Sequence, residues 1–137
     1  NTLVEGNRIH GVKLWYEDGG AIYNLSANPN SIIRNNHIFD ISNRIGIYLD
    51  EGSKHFTVTG NVVETGGKWL NINTAGKMYR RKISTDNKAS GNWDNSMSTR
   101  GRWLPEIGND ARGNFLVPDR DWPAEARKVI EAAGPRN

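Results

Sequence analysis

The sequence contains no cysteine. Disulfide staples and thiolate metal sites are therefore excluded, although the absence does not fix a compartment. No apolar run approaches the ~18 residues that a membrane-spanning helix needs. No histidine pair has the i, i+4 spacing of a helical metal site, and no Gly-x-Ser-x-Gly, P-loop or dinucleotide fingerprint is present. Neither sign of charge dominates, with 18 Lys and Arg against 15 Asp and Glu. The net charge of +3 and the pI near 9.3 are compatible with an acidic polymer partner, but a solvated surface of this charge is commonplace. Long helical periods are few, whereas glycine is plentiful at 15 residues, a composition of turns and short strands. The 137 residues suffice for one domain.

What the sequence does have is internal repetition. Aligning on x-Val-x-Gly-Asn matches Val4-Glu5-Gly6-Asn7 to Ile33-Arg34-Asn35-Asn36 and Val58-Thr59-Gly60-Asn61. Weaker copies are Ala89-Ser90-Gly91-Asn92 and Ala111-Arg112-Gly113-Asn114, so the aligned asparagines lie 29, 25, 31 and 22 residues apart. Rounds of roughly 20–30 residues are the mark of stacked coils. Asparagine suits a sharp corner because it tolerates left-handed backbone angles. Stacked on successive coils, its amide can also hydrogen-bond up and down the column.

Three segments, GAIYN (20–24), GIYLDEG (46–52) and VTGNVV (58–63), carry a resemblance to a known family. They resemble bacterial right-handed parallel β-helix proteins of the pectin-lyase-like superfamily, above all its secreted carbohydrate-active members. The likeness covers residues 1–76 strongly and 85–115 weakly, and the C-terminal DWPAEARKVIEAAG resembles the short helix that ends many such chains. It implies an all-β fold, a right-handed parallel β-helix with a short C-terminal helix, and a secreted or periplasmic location. It implies the reaction poorly, because this solenoid carries lyases, hydrolases, epimerases and non-catalytic adhesins. Coils are expected over 1–120, with a long excursion near 76–105, and the helix and tail over 121–137. The chain opens at Asn1 inside a repeat and so reads as the C-terminal part of a longer polypeptide, whose N-terminal part would cover the first coil.

Alternation assigns faces. Ile47 and Leu49 are expected to point inward, with Tyr48 and Asp50 outward. Stacking then puts Ile22, Ile47 and Leu70 in one inner column, Tyr23, Tyr48 and Asn71 in an outer one, and Asp50 beside Asn73. Asp121 reads as the N-cap of a helix over 122–133 whose face of Trp122, Ala126, Val129, Ile130 and Ala133 covers an open edge of the solenoid. Residues 84–102 are polar and read as part of the excursion.

Asp18, Asp50 and Glu51 lie beside the outer sheet and are the candidate catalytic residues, with Glu17 nearby. Two acids ~5–10 Å apart cleave a glycosidic bond, one protonating the leaving oxygen and the other serving as nucleophile or base. The plain alternative is that Asp18 and Asp50 cap turns. The same oxygens suit Ca²⁺, an optional cofactor that hydrolysis would not require. Trp15, Tyr23, His37, Tyr48, Asn71 and Asn73 are the candidate substrate-binding residues, with Tyr16 and Trp69 as further stacking aromatics, although Trp69 reads more readily as core filling beside Leu70. His10 and His37 read as aligned positions, three and one residues after their Asn. Each serves as proton shuttle or sugar contact, or simply as a half-buried imidazole.

The expected function is a glycoside hydrolase acting on a polysaccharide or oligosaccharide. A uronate lyase is the first alternative. In β-helix lyases the resemblance implies Ca²⁺ and a Lys or Arg neutralising the uronate; Lys77, Arg80, Arg81 and Arg44 are available, none clearly beside Asp50. A non-catalytic carbohydrate-binding or adhesin solenoid is the second alternative. Tyr79-Arg80-Arg81-Lys82 reads as a solvated loop rather than a nucleic-acid patch. Asn24-Leu25-Ser26 fits a glycosylation acceptor.

Overall fold

The computed structural model describes residues 1–74, 83–96 and 107–135. It is a parallel β-solenoid of about four turns. The strands in chain order are β1 (Leu3–Glu5), β2 (Arg8–Ile9), β3 (Gly20–Asn24), β4 (Ser31–Arg34), β5 (His37–Ile38) and β6 (Ile45–Leu49). They continue with β7 (Phe56–Thr59), β8 (Val62–Val63), β9 (Leu70–Ile72), β10 (Lys88–Ser90), β11 (Trp93–Asp94) and β12 (Phe115–Leu116). One helix, α1 (Ala124–Ala132), follows. Sheet A is ordered β1-β4-β7-β10, sheet B is β12-β11-β8-β5-β2 and sheet C is β3-β6-β9. Every strand pair among the described residues is parallel.

The interior is built from columns of equivalent residues. Val4, Ile33, Val58 and Ala89 stack on sheet A, and Ile9, Ile38 and Val63 on sheet B. Ile22, Ile47 and Leu70 stack on sheet C, as the alternation requires. Ile38, Ile47, Val58 and Val63 are fully buried. Each such side chain gains about 1.5–3 kcal/mol from leaving water. Gly46 stands where the wall is tight: an added Cβ would lie 2.8 Å from the Trp69 carbonyl oxygen.

The corner between sheets A and B is held by polar stacking. Asn7, Asn36, Asn61, Asn92 and Asn114 form one continuous ladder. Each side-chain amide donates to the next carboxamide oxygen, at 2.9, 2.8, 2.8 and 2.8 Å. That oxygen also accepts the backbone N–H of the same neighbour, at 3.0–3.1 Å. The amide's other proton reaches the sheet A carbonyl one coil back, as from Asn61 to Ile33 at 3.0 Å. The left-handed corner residue precedes the ladder asparagine: Gly6, Asn35, Gly60, Gly91 and Gly113 all have φ between 54 and 73°. Asn is therefore used twice at Asn35-Asn36, once for its backbone tolerance and once for its amide. A second, shorter ladder runs from Asn87 to Asn109 at 3.1 Å, with Asn87 also accepting from the Phe56 backbone N–H.

Residues 84–96, read from sequence as part of an excursion, instead continue the coils through β10 and β11. Their polarity belongs to the ladders: Asn87 and Asn92 are fully buried. The remainder of the expected excursion lies largely outside the described residues. The helix begins at Ala124 rather than at 122, with Pro123 extended at the cap and without a side-chain cap bond. Proline disfavours a helical residue before it, so Trp122 stays outside the helix. Asp121 is not the N-cap; its carboxylate lies 3.9 Å from Arg127. The helix covers the outer face of sheet B and not an edge. Trp122 and Ala126 pack with Val62, and Trp93, Val117, Val129 and Ile130 surround them. Nine helical residues span about 13 Å, nearly three coils at ~4.8 Å each, so the chain runs back along the solenoid to its first coil.

Replacing Asn61 by Ala removes the acceptor of both the buried Asn36 N–H and the Asn36 side-chain amide. Chemical denaturation of the variant should show a loss of about 2–4 kcal/mol. Asn61→Asp keeps the acceptor but sets a carboxylate against the Ile33 carbonyl and Asn92 Oδ1. It should lose more at pH 7 than Asn61→Ala and recover part of that loss on acidification.

Candidate functional site

The three strands of sheet C carry the outward residues that alternation selected. Tyr23 pairs with Tyr48, and Tyr48 with Asn71. The two phenol rings meet edge to face, 5.5 Å between centroids. Tyr23 is 46 % exposed and Tyr48 half-buried, so the row forms a shallow aromatic and polar platform.

Asp50 lies just past β6, beneath this row, and is only 8 % exposed. The Tyr23 hydroxyl, one coil away, donates to its Oδ2 at 2.7 Å. Asn73 Nδ2, from the coil on the other side, donates to Oδ1 at 2.6 Å. Burial acts to raise the carboxyl pKa. Hydrogen bonds from Asn73, Tyr23, the Glu51 backbone and Tyr48 outweigh it and hold Asp50 below the usual aspartate value. The group is thus an ionised carboxylate with donors arrayed from three coils. The tyrosines respond in the opposite sense. Donation to Asp50, followed by burial, pushes Tyr23 up to about 12, and burial, followed by the Asp50 charge, pushes Tyr48 up to about 12. The Asp18 charge adds to both. Two carboxylates on neighbouring coils therefore act on one pair of phenols.

Asp18 itself is exposed, and its Oδ1 accepts the Gly19 N–H at 2.8 Å. This bond reaches the adjacent residue, one short of the N–H two residues on that an Asx turn engages. Lys13 Nζ donates to the Asp18 carbonyl. Glu51 is half-buried, and its carbonyl accepts the Ser26 N–H at 2.9 Å. Trp15 and Tyr16 project from the loop before β3, Trp15 88 % exposed. Trp69 is buried in the core. Asn24 donates its amide to Ser53 Oγ and to the Ser26 carbonyl, both at 2.9 Å.

His37 does not join this group. It lies on sheet B, 5 % exposed, with Nε2 3.0 Å from Glu64 Oε1. Its register partner is Arg8, while His10 sits opposite Phe39. The two histidines are therefore not aligned; they stack on Phe39 at 4.5 and 4.7 Å. Arg44 donates to the Lys13 carbonyl and faces Glu17 at 3.6 Å. Lys77, Arg80 and Arg81 lie outside the described residues. Sequence reasoning passed over Lys68, whose Nζ donates to Asn71 Oδ1 at 3.3 Å and so places a cation on the sheet C row. Its position three residues before Asn71, at the entry of an outward-facing strand, was the available signal. Glu64 was missed because it joins His37 only when adjacent coils stack. Among the described residues no group of three or more His, Asp or Glu is placed to hold a metal ion.

No protein-family model, curated protein or solved structure matches this chain.

The shifts fix the sign of two pH dependences. Asp50 has a lowered folded-state pKa, so its stabilisation is present above the ordinary value of 3.8 and is lost as pH falls below it. The tyrosine pKa values are raised, so their contribution is complete below pH 10 and lost as pH rises through about 12. Asp50→Asn should flatten the acid side of the stability curve. Phenolate absorbance should then show Tyr23 and Tyr48 titrating closer to 10.

Proposed function

We propose that the sheet C face engages a saccharide chain and that the protein is a glycoside hydrolase of the pectin-lyase-like kind. Tyr23, Tyr48 and Trp15 are the surfaces on which sugar rings stack, and Asn71, Asn73 and Lys68 supply polar contacts at the platform. Asp50 is the carboxylate that stays ionised, which suits it to be base or nucleophile and unsuits it to be the proton donor. Asp18 or Glu51 then protonates the leaving oxygen. The observation that carries this reading is the Asp50 carboxylate, buried and charged beneath a tyrosine pair that the Asp18 charge also reaches.

A non-catalytic carbohydrate-binding solenoid is favoured by a different observation. Both oxygens of Asp50 already accept hydrogen bonds, and Asp18 Oδ1 already accepts the Gly19 N–H. A structural carboxylate has the same features.

Incubation with neutral and uronate-containing polysaccharides separates the readings. New reducing ends without an ultraviolet-absorbing unsaturated product are expected for the hydrolase. Unsaturated product indicates a lyase, and binding without any product indicates the adhesin-like reading. Asp50→Asn should lower hydrolysis by about 10²-fold or more, while Tyr23→Phe should weaken binding. Full activity in both Asp50→Asn and Asp18→Asn removes this face from the reaction.

A further inference from the structure

Two exits from sheet C are closed by buried serines. After β6 the Ser53 N–H donates to the Asp50 carbonyl at 2.9 Å. After β9 the Ser84 N–H donates to the Asn73 carbonyl at 3.0 Å. The two bonds are equivalent, because Leu49 pairs with Ile72 and so sets Asp50 beside Asn73. The chain spanned differs in length, residues 50–53 against 73–84, yet both exits end on the same bond. Ser53 and Ser84 are fully buried.

The serine hydroxyls reach back one coil. Ser53 Oγ donates to the Asn24 carbonyl at 3.3 Å. Ser84 Oγ donates to the Asp50 carbonyl at 2.7 Å, with the Leu49 carbonyl 3.4 Å away. Ser84 therefore grips two neighbouring backbones, Asn73 through its N–H and Asp50 through its hydroxyl. The side chains of those same two residues bond to each other, Asn73 Nδ2 to Asp50 Oδ1 at 2.6 Å. Ser84 is itself anchored: its carbonyl accepts the Asn109 amide at 2.8 Å, and Asn109 belongs to the shorter ladder. A hydrogen bond weakens once its atoms part beyond about 3.2 Å. The Asp50 carboxylate takes donors from the coils on both sides, so it keeps them only while those coils hold their spacing.

We propose that Ser84 is the positioning residue of the sheet C site: its hydroxyl fixes the Asp50 backbone against the coil that carries Asn73, and so fixes where the Asp50 carboxylate stands. The consequence for catalysis rests on the reading of Asp50 as base or nucleophile. A group in either role works within narrow limits of distance, and a displacement of about 1 Å costs on the order of 10²-fold in rate. Ser84 touches no substrate. It acts through Asp50 and Asn73, in the way that buried supporting groups hold a reacting side chain in place.

Ser84→Ala in the full chain tests this. The Asp50 carbonyl keeps its bond from the Ser53 N–H, so the substitution leaves that buried acceptor partnered and the variant folds. Carboxyl-carbon NMR should show Asp50 titrating below the ordinary value of 3.8 in the wild type and closer to it in Ser84→Ala, as its donors loosen. Phenolate absorbance should show Tyr23 and Tyr48 moving from about 12 towards 10. On a polysaccharide that the wild type cleaves, kcat should fall by about 10- to 100-fold with KM within about twofold. Thr65→Val is the matched control. It deletes a buried hydroxyl that also reaches carbonyls one coil back, Arg44 at 2.6 Å and Ser42 at 3.1 Å, at the entry to sheet C. It should leave kcat and all three titrations as they were. A folded Ser84→Ala chain with wild-type Asp50 and tyrosine titrations overturns the proposal. Equal shifts in Thr65→Val also overturn it, because the effect is then a general loosening. The titrations need no substrate, so they decide the role of Ser84 even where no polysaccharide is cleaved and the hydrolase reading fails. Shifted titrations beside an unchanged kcat uphold the hold of Ser84 on Asp50 and remove Asp50 from the reaction.

Discussion

One buried carboxamide per coil, bonded forward, backward and to the neighbouring backbone, is the constraint on which this structure depends. Asparagine is short enough to sit at a corner. It carries both donor and acceptor, so identical side chains can repeat at the ~4.8 Å coil spacing without leaving any polar atom unpaired. The ladder pins the corner between sheets A and B in every described coil. The repeat lengths of 29, 25, 31 and 22 residues therefore differ away from this corner. A solenoid fixed along one line and variable along another is suited to carry function on the variable side.

The sheet C platform inherits its geometry from that stacking. Tyr23 reaches Asp50 across one coil and Asn73 reaches it from the other side, so the carboxylate is held by three consecutive turns. Burying an ionised group is costly unless donors replace its water. Here they do, and the same bonds that keep Asp50 charged keep the two phenols protonated far into the alkaline range. This reciprocity is what makes the site a unit: an isolated outward aspartate on a strand would be solvated and would influence nothing.

Ends are the difficulty of any one-dimensional stack, because each coil contacts only its neighbours. The chain answers with a helix that folds back along sheet B. Its apolar face buries Val62 and Trp122, and its exit brings Gly134 to Gly6. A helix of nine residues is long enough to cross nearly three coils, so the last part of the sequence meets the first.

The fold was legible in the sequence because its determinants are periodic. The five ladder asparagines, the Ile22-Ile47-Leu70 column and the Tyr23-Tyr48-Asn71 row follow from counting, since two-residue alternation and coil-length repetition are written in residue order. The sequence also located the acids near the outer sheet. It could not say which was buried, because burial of Asp50 comes from partners 23 and 27 residues away. It misaligned His10 with His37, although counting in step from Asn7 and Asn36 sets Arg8 opposite His37. It read residues 84–96 as excursion because buried polar ladders look like a loop in composition. Periodicity along the chain thus fixed the winding, while the pairing across coils, which is decided by stacking in three dimensions, chose the charged group, its phenol partners and the tail that meets the first coil.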